Sequence, residues 1–167
     1  MTKLWRLTGI AVFVVASVSP ALAAPRATPA PTAALESQAA AGNPRALQEL
    51  RSFARAENAV AQYNLGFMYD SGQGVPQSYP KAVYWYRKAA VQGDAPAQYN
   101  LGLMYDNGRG VPQDDARALK WFIVAKAGGS KTAAHEMRVV ERTATPAKVT
   151  QAQALATQWW AAHHRVR

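Results

Sequence analysis

The chain has 167 residues, with 19 lysines and arginines against 10 aspartates and glutamates, a formal net charge of +9 and 49% hydrophobic residues. That length fits one ordinary domain or a short array of repeats, and the apolar content suffices for a core, which excludes disorder throughout. There is no cysteine, so disulfides, thiolate metal sites, cysteine nucleophiles and a lipid-modified N-terminal cysteine are excluded.

At the N-terminus, Lys3 and Arg6 precede an apolar run from Leu7 to Val18, followed by Pro20, Ala21, Leu22 and Ala23. A charged start, a short apolar stretch and a small-residue cleavage site make residues 1–23 a signal peptide, with a mature chain expected to begin at Ala24. The run is too short to cross a bilayer, which takes about 20 apolar residues. A periplasmic or secreted location follows, with the membrane met only during export. Loss of Lys3 and Arg6 leaves 17 basic residues against 10 acidic ones, a net +7. Such a surface favours an acidic partner, a lipid head group or a cell-wall polymer, and export argues against nucleic acid.

Residues 24–34 contain only Ala, Pro, Thr and Arg26. Pro25, Pro29 and Pro31 break any helix there and nothing large is available to pack, so the stretch is read as a flexible linker. In residues 35–58, read as degenerate N-terminal helices, Asn43 before Pro44 is an N-cap candidate. Ala40-Ala41-Gly42-Asn43-Pro44 has the look of a repeat junction, but the distance from there to Asn58 is too short for a whole unit.

The sequence AQYNLGFMYDSGQGVPQ at 61–77 returns as AQYNLGLMYDNGRGVPQ at 97–113, a shift of 36 residues. A period of about 20–50 residues signals a solenoid whose units bury their apolar faces against one another. Repeat one is assigned to 59–94 and repeat two to 95–130. Ala61, Leu65, Met68 and Tyr69 share one helical face, as do Ala97, Leu101, Met104 and Tyr105. A second helix in each unit carries Ala82, Trp85, Tyr86 and Ala89, matched by Ala118, Trp121, Phe122 and Ala125. Gly66 and Gly102 sit inside the first helices, where glycine costs about 1 kcal/mol relative to alanine, so close helix approach is the better explanation. Asp94 is an N-cap candidate, and Gly93 and Gly129 stand where a helix would end in a left-handed residue. Ser130 can cap a helix to about Arg142, and Thr145-Pro146 starts another. That last helix puts Ala152, Leu155, Ala156, Trp159, Trp160 and His163 on one face, so 131–165 are expected to be capping helices. No strand pattern occurs.

Candidates for chemistry are sparse. Asp70-Ser71-Gly72 and Asp106-Asn107-Gly108 lack the alternating oxygen ligands and closing glutamate of a calcium loop, and the Gly-Lys-Ser/Thr ending of a phosphate loop, so they read as interhelical turns. His135, His163 and His164 do not have a metal-binding spacing. No metal or cofactor is expected, no catalytic residue is assigned, and the chain is read as a non-enzyme.

Leu65-Gly66-x-x-Tyr69 followed by Ala82-x-x-x-Tyr86, and Leu101-Gly102-x-x-Tyr105 followed by Ala118-x-x-x-Phe122, resemble the tetratricopeptide pattern. The longer Gly-x-Gly-Val-Pro loop, Trp85 and Trp121, and the 36-residue period are more similar to the related Sel-one-like repeat family. The resemblance implies an all-α fold, a short right-handed α/α solenoid of antiparallel helix hairpins, acting as an adaptor for a protein or peptide. In tetratricopeptide-like units the first helix of each pair lines the inner surface, which implies partner contacts at Tyr63, Phe67 and Asp70, and at Tyr99, Leu103 and Asp106. Packing against the preceding repeat is the alternative role for Tyr63 and Tyr99. Failing the groove, the site is expected on a basic face around Arg138, Arg142 and Lys148. Cysteine-rich secreted members of that family, with proposed β-lactam or cell-wall activities, suggest an envelope hydrolase or lactam-binding enzyme as a second reading. A basic module on anionic envelope polymer or lipid is a third.

Overall fold

The computed structural model describes residues 32–163, and among these residues every regular element is a helix. The expected signal peptide, its cleavage site and residues 24–31 of the linker lie outside the described residues, as do residues 164–167. The helices are α1 (Thr32–Ala40), α2 (Pro44–Arg55), α3 (Ala59–Ser71), α4 (Tyr79–Val91), α5 (Ala95–Asn107), α6 (Asp115–Ala127), α7 (Lys131–Thr143) and α8 (Pro146–His163).

Local chemistry sets the boundaries. Asn58 Oδ1 accepts from the Ala61 amide at 2.9 Å, Asp94 Oδ1 from Ala97 at 2.8 Å and Ser130 Oγ from Ala133 at 3.2 Å. These three N-caps are spaced by the repeat period, and each satisfies an amide that the helix itself leaves without an acceptor. The residue before each cap has positive φ: Glu57 at 59°, Gly93 at 93° and Gly129 at 92°. Glycine takes that conformation without strain, so Glu57 is the one unit junction of the three where a side chain bears it.

Within each repeat the two helices lie antiparallel and very close. The Tyr86 and Phe122 side chains are fully buried. A Cβ built on Gly66 would lie 2.5 Å from Tyr86 Cδ1, and one on Gly102 2.5 Å from Phe122 Cε1. The glycines therefore admit the aromatic rings of the second helix, as the expected close approach requires.

Successive units are locked by a residue type that periodicity alone did not single out. Gln62 and Gln98 are buried, and their Nε2 atoms donate to the carbonyls of Ala54 at 2.9 Å and Ala90 at 3.0 Å. Those carbonyls belong to the last turns of α2 and α4, where the i+4 donors of the helix run out; that of Ala90 also accepts from the Gly93 amide at 3.1 Å. Gln62 Oε1 also accepts from Gln92 Nε2 at 2.7 Å.

The first helices touch in succession, α1 to α3 to α5 to α7, whereas α2 and α4, or α4 and α6, make no comparable contact. A stack whose first helices lie closer together than its second helices curves with the first helices inside. At the C-terminal end α7 and α8 both pack on α6 instead of pairing with each other as α3 pairs with α4.

Three expectations change. α1 begins at Thr32, inside the stretch read as linker, because Pro31 precedes the helix and leaves the rest of it uninterrupted. Ala41, Gly42 and Asn43 form the turn inside an α1–α2 hairpin, not a junction between repeats. That turn is much shorter than the 72–78 loop, which is how a whole helix pair fits before Asn58. Trp85 and Trp121 are not equivalent: Trp121 is buried, while Trp85 is partly exposed beside Tyr84.

Candidate binding groove

Tyr63, Phe67 and Asp70 fall on one side of α3, and Tyr99, Leu103 and Asp106 on the same side of α5. Phe67 is 37% exposed and the other five are partly buried. Groups on neighbouring first helices bear on them. Burial pushes the Tyr63 phenol up, and the carboxylates of Asp94 and of Glu36 on α1 push the same way. Burial also raises Tyr99, with Glu136 of α7 adding to it. The six residues therefore share the inner face of the stack with Glu36, Asp94 and Glu136.

They do not all present themselves to a partner. The Tyr63 and Tyr99 rings pack on Tyr86 and Phe122 of their own hairpins, with centroids 6.0 Å apart in both cases. This is packing across the hairpin, not against the preceding repeat. The Tyr86 hydroxyl donates to Asp70 Oδ2 at 3.3 Å. Asp70 is nonetheless raised by burial, with Tyr86 and Arg109 holding it down in part. Asp106 has no such donor. Burial raises its carboxyl, and Asp115 and Glu136 raise it further. Phe67 and Leu103 are left as the apolar contacts of the face. Beside Tyr99 lies a depression of about 360 Å³ between the start of α5 and the α6–α7 turn, bordered by Pro96, Gly129 and Thr132.

The charge of this face is opposite to that of the whole chain. α1, α3 and α5 contain no lysine or arginine, and each carries one acid: Glu36, Asp70 and Asp106. α2, α4 and α6 carry three basic residues each: Arg45, Arg51 and Arg55; Lys81, Arg87 and Lys88; Arg117, Lys120 and Lys126. The net positive charge, from which an acidic partner is expected, therefore sits mainly on the second helices, with Lys131, Arg138 and Arg142 on α7 besides. The sequence signal for this was the absence of any lysine or arginine over 56–80 and 89–108.

On the second-helix side the basic residues are organised around two tyrosines. Arg51 Nη2 donates to the Tyr69 hydroxyl at 3.2 Å and Arg87 Nη2 to the Tyr105 hydroxyl at 3.0 Å. Lys81 lies 5.3 Å from the Tyr69 ring centroid and Arg117 5.6 Å from that of Tyr105. The fallback face is brought together only in part. Arg138 and Arg142 flank a depression on α7 with His135 and Val139, whereas Lys148 is engaged by Asp115 at 2.7 Å. Among the described residues no group of three or more His, Asp and Glu could hold a metal ion, and no helix is long and apolar enough to cross a membrane.

The Sel1 repeat family model matches residues 59–94 and 95–130. The chain is similar to the crystal structure of a protective antigen present in uropathogenic Escherichia coli strains that displays an SLR fold. The TM-score is 0.71 at 28% identity, over 79% of this chain and 30% of that one. It is also similar to the crystal structure of a Sel1 repeat protein from Oxalobacter formigenes, with a TM-score of 0.60 at 34% identity, over 65% of this chain and 34% of that one. The chain thus spans about a third of the length of these solved proteins. No curated protein matches it.

Proposed function

Because the chain belongs to the Sel1-like repeat family, with two repeats at 59–94 and 95–130, we propose that it is an exported interaction scaffold whose inner groove holds a cationic segment of a partner protein. Sel1 repeats commonly mediate protein–protein interaction. What carries the finer reading is the division of charge between α1, α3 and α5 on one side and α2, α4 and α6 on the other; α7, the last of the first helices, breaks the pattern with Lys131, Arg138 and Arg142. Glu36 and Asp94 bear on Tyr63, Glu136 bears on Tyr99 and Asp106, and α1, α3 and α5 bring no basic residue to neutralise them, although Arg109 after α5 offsets Asp70 in part. An extended segment with lysine or arginine beside a large apolar side chain complements that surface. An acidic segment would meet like charge there. No reaction is assigned to the groove.

Binding of two peptides to the mature chain tests this: one alternates lysine with leucine or phenylalanine, the other replaces each lysine by glutamate. The first should bind and weaken with added salt, as contacts between partly exposed charges do. Preference for the glutamate peptide would refute the reading. Export rests on Lys3, Arg6, the Leu7 to Val18 run and Ala21-Leu22-Ala23. Intact-mass measurement should find a mature chain that begins at Ala24.

A further inference from the structure

We propose that the cleft between α5, α6 and α8 is a second binding site, which takes a small soluble organic anion: a phosphate or carboxylate carried on a flat apolar ring. The cleft holds about 350 Å³ and is bordered by Tyr105, Arg117, Lys120, Trp121, Leu155 and Trp159. Its apolar wall is aromatic, with the Trp121 and Trp159 rings edge to face at 6.3 Å and 68°. One face of Trp121 carries Lys120 Nζ and one face of Trp159 stacks on His163 at 4.6 Å, so a flat ring would pack against the ring surface these leave uncovered.

One of the two cations at the cleft is left without an acid: Arg117 is paired with Asp114 at 3.3 Å, whereas Lys120 is not paired. Lys120 Nζ lies 3.3 Å from the centroid of the Trp121 ring. It forms no ion pair among the described residues. The nearby carboxylates are committed elsewhere, Asp114 to Arg117 at 3.3 Å and Asp115 to Lys148 at 2.7 Å. The ring face offsets part of the cost of desolvating the ammonium, and no described residue accepts from its three N–H donors. Burial, with Arg87 and Arg117 close by, pushes Lys120 down to about 8. An anion in the cleft would reverse each of these: it supplies acceptors, opposes the like charges and forms charge-assisted hydrogen bonds.

Comparison of the two repeats isolates the feature. Lys120 occupies the position of Tyr84 in repeat one, and Arg117 that of Lys81. Tyr84 is 53% exposed, and α4 packs on α3 and α5 with no counterpart of α8. The extra cation therefore occurs in the copy where a third helix closes a cleft over it. The site is on the second-helix side, so it is independent of whatever occupies the groove.

Calorimetric titration of the full mature chain with phenyl phosphate, inorganic phosphate and phenol tests the proposal. Phenyl phosphate should bind at least about tenfold more tightly than either half alone, since ring and anion are held together. Lys120→Tyr, which installs the repeat-one residue, should reduce that affinity by at least about tenfold with helicity and melting temperature unchanged, and Lys120→Gln should do the same. Lys81→Ala should leave it unchanged. Equal binding of phenyl phosphate and inorganic phosphate, no heat at millimolar ligand, or undiminished binding in a folded Lys120 variant would each overturn it. The ligand comparison in the unaltered protein decides the matter even if the variants do not fold.

Discussion

Gly66 lies against the ring of Tyr86, so close that a Cβ at Gly66 would stand 2.5 Å from Cδ1. The ring has nowhere to go, because Tyr86 is fully buried and its hydroxyl is bonded to Asp70. Gly66→Ala and Gly102→Ala should therefore each destabilise the protein by about 1–3 kcal/mol, as overpacking does, although alanine is the better helix former. Denaturant melts of the single variants check this. Tyr86→Ala or Phe122→Ala should cost about 3–5 kcal/mol through cavity formation, and Trp85→Ala less than Trp121→Ala because Trp85 is partly exposed.

The glutamines that join the units should matter more than their polarity suggests. Gln62→Ala leaves the carbonyl of Ala54 without its side-chain donor, a loss of about 1–3 kcal/mol for a buried group, and Gln98→Ala should cost less because the Ala90 carbonyl keeps the Gly93 amide at 3.1 Å. Gln62→Ala should be the worse, since Gln62 also accepts from Gln92. Hydrogen exchange gives a second readout: in Gln98→Ala the amides of α5 to α8 should lose protection before those of α1 to α4.

Phe67→Ala combined with Leu103→Ala should abolish capture of the lysine-bearing peptide and leave helicity and melting temperature nearly intact. These two side chains face the groove, and they mark the interior position where the two helix copies differ. Peptide capture retained in that folded double variant would move the partner site away from the groove.

Groove carboxylates give stability a characteristic pH dependence. Burial raises Asp70, Asp94 and Asp106 above the ordinary value of 3.8. Between the unfolded and the folded value the native protein holds more protons than the unfolded chain. Their contribution to stability therefore grows as pH falls towards about 4 and is lost as pH rises past the folded values. Asp106→Asn removes one such group, and should raise the melting temperature at pH 7 while narrowing the difference between pH 7 and pH 5.

How much of this was legible beforehand follows from the range of the interactions. The sequence by itself determined the helices, their caps and the close pairing within each repeat. The N-caps at Asp94 and Ser130, the turn at Gly93 and the glycine at 66 act over a few residues or across one hairpin, and a duplicated sequence displays each of them twice. Gln62 and Gln98 were displayed twice as well, but a glutamine beside the core alanines has no meaning until the carbonyl of the preceding unit is placed against it. Tertiary structure alone decided which way the charges face, because helix periodicity locates a stripe and only the curvature of the stack makes one row of helices the inside. It also decided that Trp121 is buried and Trp85 is not, and that Lys120 borders a cleft. Both depend on α8 packing on α6, a contact between segments far apart in the chain that no local pattern encodes.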